Sequence, residues 1–382
     1  MTGDRLRLAR LPRTTDRNPY QRRLYAALAD HGVDLVADGS LDDAWLEAHL
    51  TDVDVLHLHW RLDRLLRPVD TSAPFGPDGA PAPPKDATSD DFAATVAARL
   101  ADVRRHGVLV AWTVHEPARL GPDGTPFDHA VSRAVADHSD VILVHDVAAA
   151  GLTRDALAPS AAIVVVGMGH YAAELPPDPD PASARRRLDL PEDGAVLTVF
   201  GHHRADKDLR LLGEALAMST DDRLTVLLAG DVQDDATSAC IAELVAGDRR
   251  VHALLRELTD DEVATVLAAS DAVVLPRSVE WTPSSLVTAL SHGIPVVAAD
   301  LATTRAHVDA GAWWFTPGDA HSLASAMAEA SADPAAARAH GVAGHDAVLT
   351  RTWEDVAVRT ADALRAAVAA RGQAGVTTRD AT

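Results

Sequence analysis

Short β-branched runs alternate with longer stretches of helical periodicity along this chain, and the alternation restarts after a proline-rich break near the middle. A strand buried on both faces of a parallel sheet reads as a continuous run of Val, Ile and Leu, and parallel neighbours need a crossover, usually a helix, between them. The pattern predicts an α/β protein with two parallel sheets in series, joined by right-handed crossovers. At 382 residues the chain is too long for one core and suits two domains of ~150–200 residues.

In the first half the strand candidates are 6–11, 33–38, 54–60, 107–115, 140–146 and 161–167. Between the first two, Asn18 is placed to cap a helix, Pro19 suits its first position and Gly32 the residue past its end. Residues 66–93 are rich in Pro, Gly, Asp and Ser and read as a long mobile loop. That loop follows the strand ending in DVLHLHW, so it rises from the strand edge where open α/β sheets bind ligands. The break at 175–194 reads as an interdomain linker. Beyond it the candidates are 195–201, 224–232, the run starting at 251, 271–276 and 294–300, with helical patterns between them. Two Rossmann-like halves result: domain 1–172, linker 173–193, domain 194–355, a helix at 356–372 crossing back to the first domain, and a loose tail at 373–382.

Composition removes several function classes. No stretch approaches the ~20 apolar residues of a membrane span, and the charged start MTGDRLRLARLPRTTDR lacks the apolar centre of a secretory signal. A single cysteine, Cys240, offers neither an internal disulfide nor a thiolate cluster, consistent with a reducing cytoplasm. A formal net charge of −21 argues against a nucleic-acid partner, which needs basic surface to displace counterions. Residues 1–23 run against that balance with seven Arg and two Asp, either a solvated patch or a surface for a phosphorylated or lipid-linked acceptor. Of 35 basic side chains only Lys85 and Lys207 are lysine, so a lysine inside a motif carries weight.

Neither half contains the GxGxxG of dinucleotide enzymes, and GxxxxGK[ST], HExxH, CxxC and GxSxG are absent too. What remains lies at strand C-terminal ends in the second half. In FGHHRADKDLRLL, Arg204 and Lys207 sit in the loop entering a helix, a fork and a point charge suited to clamp a diphosphate. In LPRSVEWTPSSLVTALSHGIPVVAAD, a helix starting near Ser284 supplies free N–H groups and a positive dipole end, Ser284 and Ser285 add hydroxyls, and Glu280 is close enough to meet a sugar hydroxyl. His202 and His203 read as loop residues, and no metal site is expected.

The stretch from about 195 to 320 resembles the donor domain of glycosyltransferase family 4, in which a strand–Gly-x5-Lys loop is followed by Glu-x7-Glu and then Ala-x-x-x-Gly-x-Pro-Val. Gly201 and Lys207 match the first element, with His202 at the usual arginine position and Arg204 two residues beyond it. Glu280 matches the first glutamate, which in that family contacts the transferred sugar; Thr288 stands where the second, a nucleotide-ribose ligand, is usual. The run Ala289 to Val296 fits the closing element. His115-Glu116 resembles the acceptor-side His of GT-B proteins, the NPY run with Asn18 and Tyr20 and the HLHW strand end resemble those of bacterial polysaccharide and glycolipid transferases, and VVVGMGHY resembles their Pro-His-Gly-His-Tyr element with Gly167 and Met168 substituted.

The resemblance implies a GT-B fold, two Rossmann-like domains facing across a cleft, and a hexosyltransferase-like, metal-independent enzyme. The donor would be a nucleotide diphosphate sugar held as co-substrate, with no other cofactor, and the acceptor a glycan, glycolipid or lipid-linked intermediate. The donor side would comprise Arg204, Lys207, Glu280, Ser284, Ser285 and Thr288, and the acceptor side Asn18, Tyr20, His115 and Glu116. Glu280, His115 and Lys207 would carry the chemistry, Lys207 and Arg204 stabilising the leaving diphosphate. The resemblance implies retention of configuration, while a related inverting group would use Glu116 or His115 as base. A GT-B epimerase and a catalytically inactive GT-B binding module remain alternatives. The expected location is the cytoplasm, with peripheral contact at the inner membrane face through the N-terminal domain.

Overall fold

The computed structural model describes residues 5–12, 19–60, 62–66, 89–120, 124–174, 176, 179–204, 207–279, 284–308 and 310–379. They form two compact units, Met1–Gly169 with Thr352–Thr382, and His170–Arg351.

The first unit is built on strands β1 (Leu6–Leu11), β2 (Val33–Asp38), β3 (Val55–Leu58), β4 (Leu109–Val114), β5 (Val141–Val144) and β6 (Ala162–Val165). They pair in parallel in the order β2-β1-β3-β4-β5-β6. The crossovers carry α1 (Pro19–Asp30), α2 (Asp43–His49), α3 (Ser89–Arg105), α4 (Pro126–His138) and α5 (Val147–Leu157). In the second unit, α6 (Pro181–Arg187) precedes β7 (Val196–Phe200), α7 (Leu209–Met218), β8 (Thr225–Ala229), α8 (Asp235–Gly247), β9 (Val251–Leu254) and α9 (Asp260–Ala269). Then come β10 (Ala272–Leu275), α10 (Ser284–Ser291), β11 (Val296–Ala299), α11 (Ala302–Arg305), β12 (Ala312–Phe315), α12 (Ala320–Ala332) and α13 (Pro334–Leu349). The second sheet runs β12-β11-β10-β7-β8-β9, again all parallel. Helix α14 (Trp353–Arg379) closes the chain on the first unit.

Helices cover both sheets, so the central strands β4, β5, β8, β10 and β11 are buried at every position. Each order contains one reversal of winding, between β1 and β3 in the first sheet and between β7 and β10 in the second. Loops leaving the C-terminal ends of strands at such a point diverge and open a crevice, which is where open α/β sheets take ligands.

The structure departs from the sequence expectation in four places. Residues 89–93 are the first turns of α3, not loop: Asp90 and Asp91 suit a helix N-terminus, and Phe92 and Ala93 are buried; 67–88 lie outside the described residues. The 173–193 stretch, expected as a linker, carries α6: Asp180 caps it, Pro181 is its first residue, and Arg185 is buried in the second unit. Arg185 donates to the carbonyls of Ala269 (3.1 Å), Glu192 and Gly194 (both 3.0 Å) and to Asp271 (2.7 Å). Strand β12, Ala-Trp-Trp-Phe, was not among the expected runs, because it contains no β-branched residue. The last helix is longer than 356–372, running to Arg379, since nothing after Trp353 is proline.

Helix α14 is anchored on the first unit by its apolar face, Val356, Ala357, Ala361 and Leu364, and by Arg371. Arg371 donates to the carbonyls of Val108 and Arg104, both at 2.7 Å, and lies 3.4 Å from Asp140. Asp140, a nearly buried carboxylate, also pairs with Arg104 at 3.0 Å and accepts from Val110 N at 2.9 Å.

Candidate functional site

In the second unit the two loops at the winding reversal are tied together by one carboxylate. Asp208 caps α7 by accepting from Leu211 N at 3.1 Å, and its other oxygen accepts from Ser278 Oγ at 2.9 Å, just past β10. Its own N–H donates to Pro276 O at 2.6 Å. The rim between these loops is therefore stiff.

Beside it the strand tips are pinched by glycines. Gly230 has φ +135°, and a Cβ there would stand 2.3 Å from Gly201 O. Gly201 has φ +92°, and a Cβ on it would meet Ser285 Oγ at 3.2 Å and Lys207 Nζ at 3.6 Å. Those two groups, an ammonium and a hydroxyl at the start of α10, therefore both lie beside Gly201. Lys207 is only 3% exposed, and its Nζ donates to Phe200 O at 2.6 Å. It is thus a buried cation fixed at a strand end, not a charge on an exposed loop. Arg204 stands at the same loop, its carbonyl accepting from Lys207 N at 2.9 Å. Ser284 is exposed and Ser285 partly so at the start of α10, while Thr288 Oγ1 bonds back to Ser284 O at 3.0 Å. Glu280 lies outside the described residues.

The first unit places four imidazoles at its C-terminal strand edge. Strands β3, β4 and β5 are neighbours, and each is followed directly by a histidine: His59, His115 and His145. With His57 and Tyr25 they form one unbroken chain of hydrogen bonds. Thr113 Oγ1 meets His57 Nε2 at 2.8 Å, His57 Nδ1 meets Tyr25 OH at 3.0 Å, and Tyr25 OH meets His59 Nε2 at 2.6 Å. His59 Nδ1 then meets His115 Nε2, His115 Nδ1 meets His145 Nε2, and His145 Nδ1 meets Gly167 O, all at 3.0 Å.

With the rings neutral, the terminal carbonyl sets the proton positions along this chain. A carbonyl only accepts, so His145 Nδ1 carries hydrogen, and a neutral His145 must then accept at Nε2. That makes His115 the donor at Nδ1 and the acceptor at Nε2, and the same step repeats through His59, Tyr25 and His57 back to the Thr113 hydroxyl. The neutral form is enforced by burial, which pulls the pKa of His57 down to about 3. Burial first, and neighbouring imidazoles second, hold His59 and His115 well below the ordinary histidine range.

This arrangement bears on the acceptor-side residues. Both ring nitrogens of His115 are consumed inside the chain, so in this state it has no lone pair left to take a proton from a substrate. Its ring is closed over by Trp60 and Tyr20, with centroids at 4.2 and 4.8 Å, both edge-on. Glu116 is paired with Arg119 at 2.7 Å. Asn18 lies outside the described residues. Of the arginines in 1–23, Arg5, Arg7 and Arg10 pair with Asp34 (2.5 Å), Asp52 (3.6 Å) and Asp38 (2.6 Å), so part of that positive charge is neutralised within the fold. The histidine chain was missed from the sequence, although a His after three successive strands is a readable signal.

Residues 181–344 match the family model described as glycosyl transferases group 1. No curated protein sequence matches the chain. Among solved structures, sucrose-phosphate synthase from Thermosynechococcus elongatus is similar at 17% identity and TM-score 0.72, covering 96% of this chain and 100% of that one. HepE from Anabaena, in complex with UDP-glucose, is similar at 14% identity and TM-score 0.68, covering 94% and 99%. A glycosyltransferase from Rickettsia africae is similar at 11% identity and TM-score 0.58, covering 96% and 99%. The chain thus has the two-sheet α/β architecture of GT-B glycosyltransferases. Among the described residues no helix is long and apolar enough to cross a membrane.

Proposed function

We propose that this chain transfers a glycosyl group from a nucleoside diphosphate sugar to an acceptor hydroxyl, with the donor held by the second unit. The observation that carries the reading is the buried Lys207 ammonium and the Ser285 hydroxyl both lying beside Gly201, at the sheet's winding reversal. The matched stretch 181–344 contains all three residues, and HepE is a structure of this fold with UDP-glucose bound.

Glycosyl transfer places growing negative charge on the departing diphosphate while the sugar becomes oxocarbenium-like. A cation already desolvated and fixed gains most as that charge grows and pays no reorganisation at the moment of reaction. Lys207 fills that role, with Arg204 and the α10 start around Ser284 and Ser285 as further anion contacts. Glu280 holds the sugar, and the acceptor is a glycan or a glycolipid or other lipid-linked intermediate. Because the histidine chain leaves His115 no free nitrogen, base catalysis by His115 is disfavoured, and this supports a retaining reaction in which the leaving phosphate receives the acceptor proton. A donor-binding module without turnover is the second reading, favoured by Thr288, whose hydroxyl is turned onto its own helix.

Incubating the chain with radiolabelled UDP-, GDP-, ADP- and dTDP-sugars and bacterial glycolipid acceptors separates these outcomes. Label in the acceptor supports transfer. Label in an epimeric sugar nucleotide, or binding with no turnover, sinks it.

A further inference from the structure

Strand β12 is the outermost of the second sheet, three places from β7 in the order β12-β11-β10-β7, and a cavity of about 390 Å³ lies beside it. Its walls are Arg305 at the end of α11, Val308 in the loop that follows, Trp314 on β12, and Ala339, His340 and Ala343 on α13. The volume falls within the ~300–1,000 Å³ usual for small-molecule sites. Helix α13 reaches the entry of β12 because Gly311 stands there with φ +86°. A Cβ on Gly311 would lie 2.7 Å from Gly344 Cα and 2.8 Å from His340 O.

Two side chains in these walls keep unused hydrogen-bonding capacity. The Arg305 guanidinium sits over the Trp314 ring, its carbon 3.6 Å from the centroid. One edge of it is taken by Asp300, which accepts from Nε at 2.6 Å and from Nη2 at 3.0 Å. A guanidinium carries five N–H groups, so Nη1 and the second hydrogen of Nη2 form another complete fork. Among the described residues that fork has no partner. The His340 ring stacks on Trp313, with centroids 4.3 Å and planes 11° apart. Its Nδ1 is buried and, among the described residues, has no hydrogen-bond partner. Buried polar atoms are nearly always paired in folded proteins, so an orphaned nitrogen on a ring that lines a cavity is unusual.

We propose that this cavity is a second ligand site, one that takes a small organic oxyanion. A carboxylate or phosphate accepts from the free fork of Arg305, and an apolar body lies against Trp314 and the alanines of α13. Planar oxyanions match a guanidinium fork in a way that a neutral hydroxyl or a cation does not. The site is separate from the crevice between β7 and β10, so its occupancy does not depend on the donor reading.

The test is calorimetric titration of the full chain with phenyl phosphate, benzoate, inorganic phosphate and benzyl alcohol, with and without excess UDP. At least one of phenyl phosphate and benzoate should bind with a Kd on the order of 1 mM or tighter, and which of them does so tells phosphate from carboxylate. Inorganic phosphate should bind ~10-fold more weakly or worse, benzyl alcohol should not bind, and UDP should leave the affinities unchanged. Arg305→Ala should weaken binding ~10-fold or more, and Arg305→Lys, which keeps the charge without the fork, should restore only part of it. Ala343→Phe, at an exposed position of α13, should fill the cavity and abolish binding in a chain that stays folded. The proposal is overturned if neither phenyl phosphate nor benzoate binds, or if benzyl alcohol or inorganic phosphate binds equally well. Displacement of the probe by UDP, or binding that survives both Arg305→Ala and Ala343→Phe, overturns it too.

Discussion

A histidine at a strand end illustrates how a residue's type falls short of its role. His115 has the position and the pKa-sensitive ring expected of a base, yet its nitrogens are closed off by His59 and His145. No local pattern shows this, because the closure depends on three strands and on a Tyr25 hydroxyl supplied by α1. Lys207 stands out for the opposite reason: in a chain with 35 basic side chains and two lysines, a compact ammonium in a strand-end loop is chemically pointed. For Glu280, which meets the sugar rather than the phosphates in this reading, Glu280→Gln should leave nucleoside diphosphate affinity within about twofold while turnover falls on the order of 10²-fold. Normal turnover in that variant would show that Glu280 does not hold the sugar.

At the scale of elements, eleven of the twelve strands were readable, since parallel strands buried on both faces leave uninterrupted apolar runs such as VILV in β5 and AVVL in β10. The elements that escaped are those whose stabilisation is not written locally. Strand β12 relies on aromatic residues, and α6 hides in a proline-rich stretch because its prolines fall at and before its first turn while Arg185 bonds to residues far along the chain. Helix α14 depends on one such distant contact. Arg371→Ala would remove the guanidinium donor to the Val108 and Arg104 carbonyls and one cation from the buried Asp140, costing about 2 kcal/mol. Denaturant midpoints of the variant and the parent chain check this, and equal midpoints would mean that α14 is held without the Arg371 contacts.

For the whole molecule, the buried imidazoles tie stability to pH with a definite sign. An unfolded histidine titrates near 6.5, whereas burial holds His57 at about 3 and His59 well below the ordinary value. Between those limits the unfolded chain binds protons the folded one does not, so this contribution is complete above about pH 7 and is lost as pH falls. From pH 7.5 to 5.5 the two residues together should cost about 3 kcal/mol of stability, in a range where carboxylates stay ionised. A denaturation midpoint independent of pH there would mean the imidazole chain is not neutral and closed in solution. The central claim, that the second unit holds a nucleoside diphosphate against Lys207, is tested most directly by calorimetric titration of UDP, GDP, ADP and dTDP into the full chain and its Lys207→Ala variant. At least one nucleoside diphosphate is expected to bind the parent chain, with its affinity dropping ~10-fold or more in a variant that remains folded and kcat/KM for the matching sugar nucleotide down on the order of 10²-fold. Equal affinity in the two proteins would contradict it.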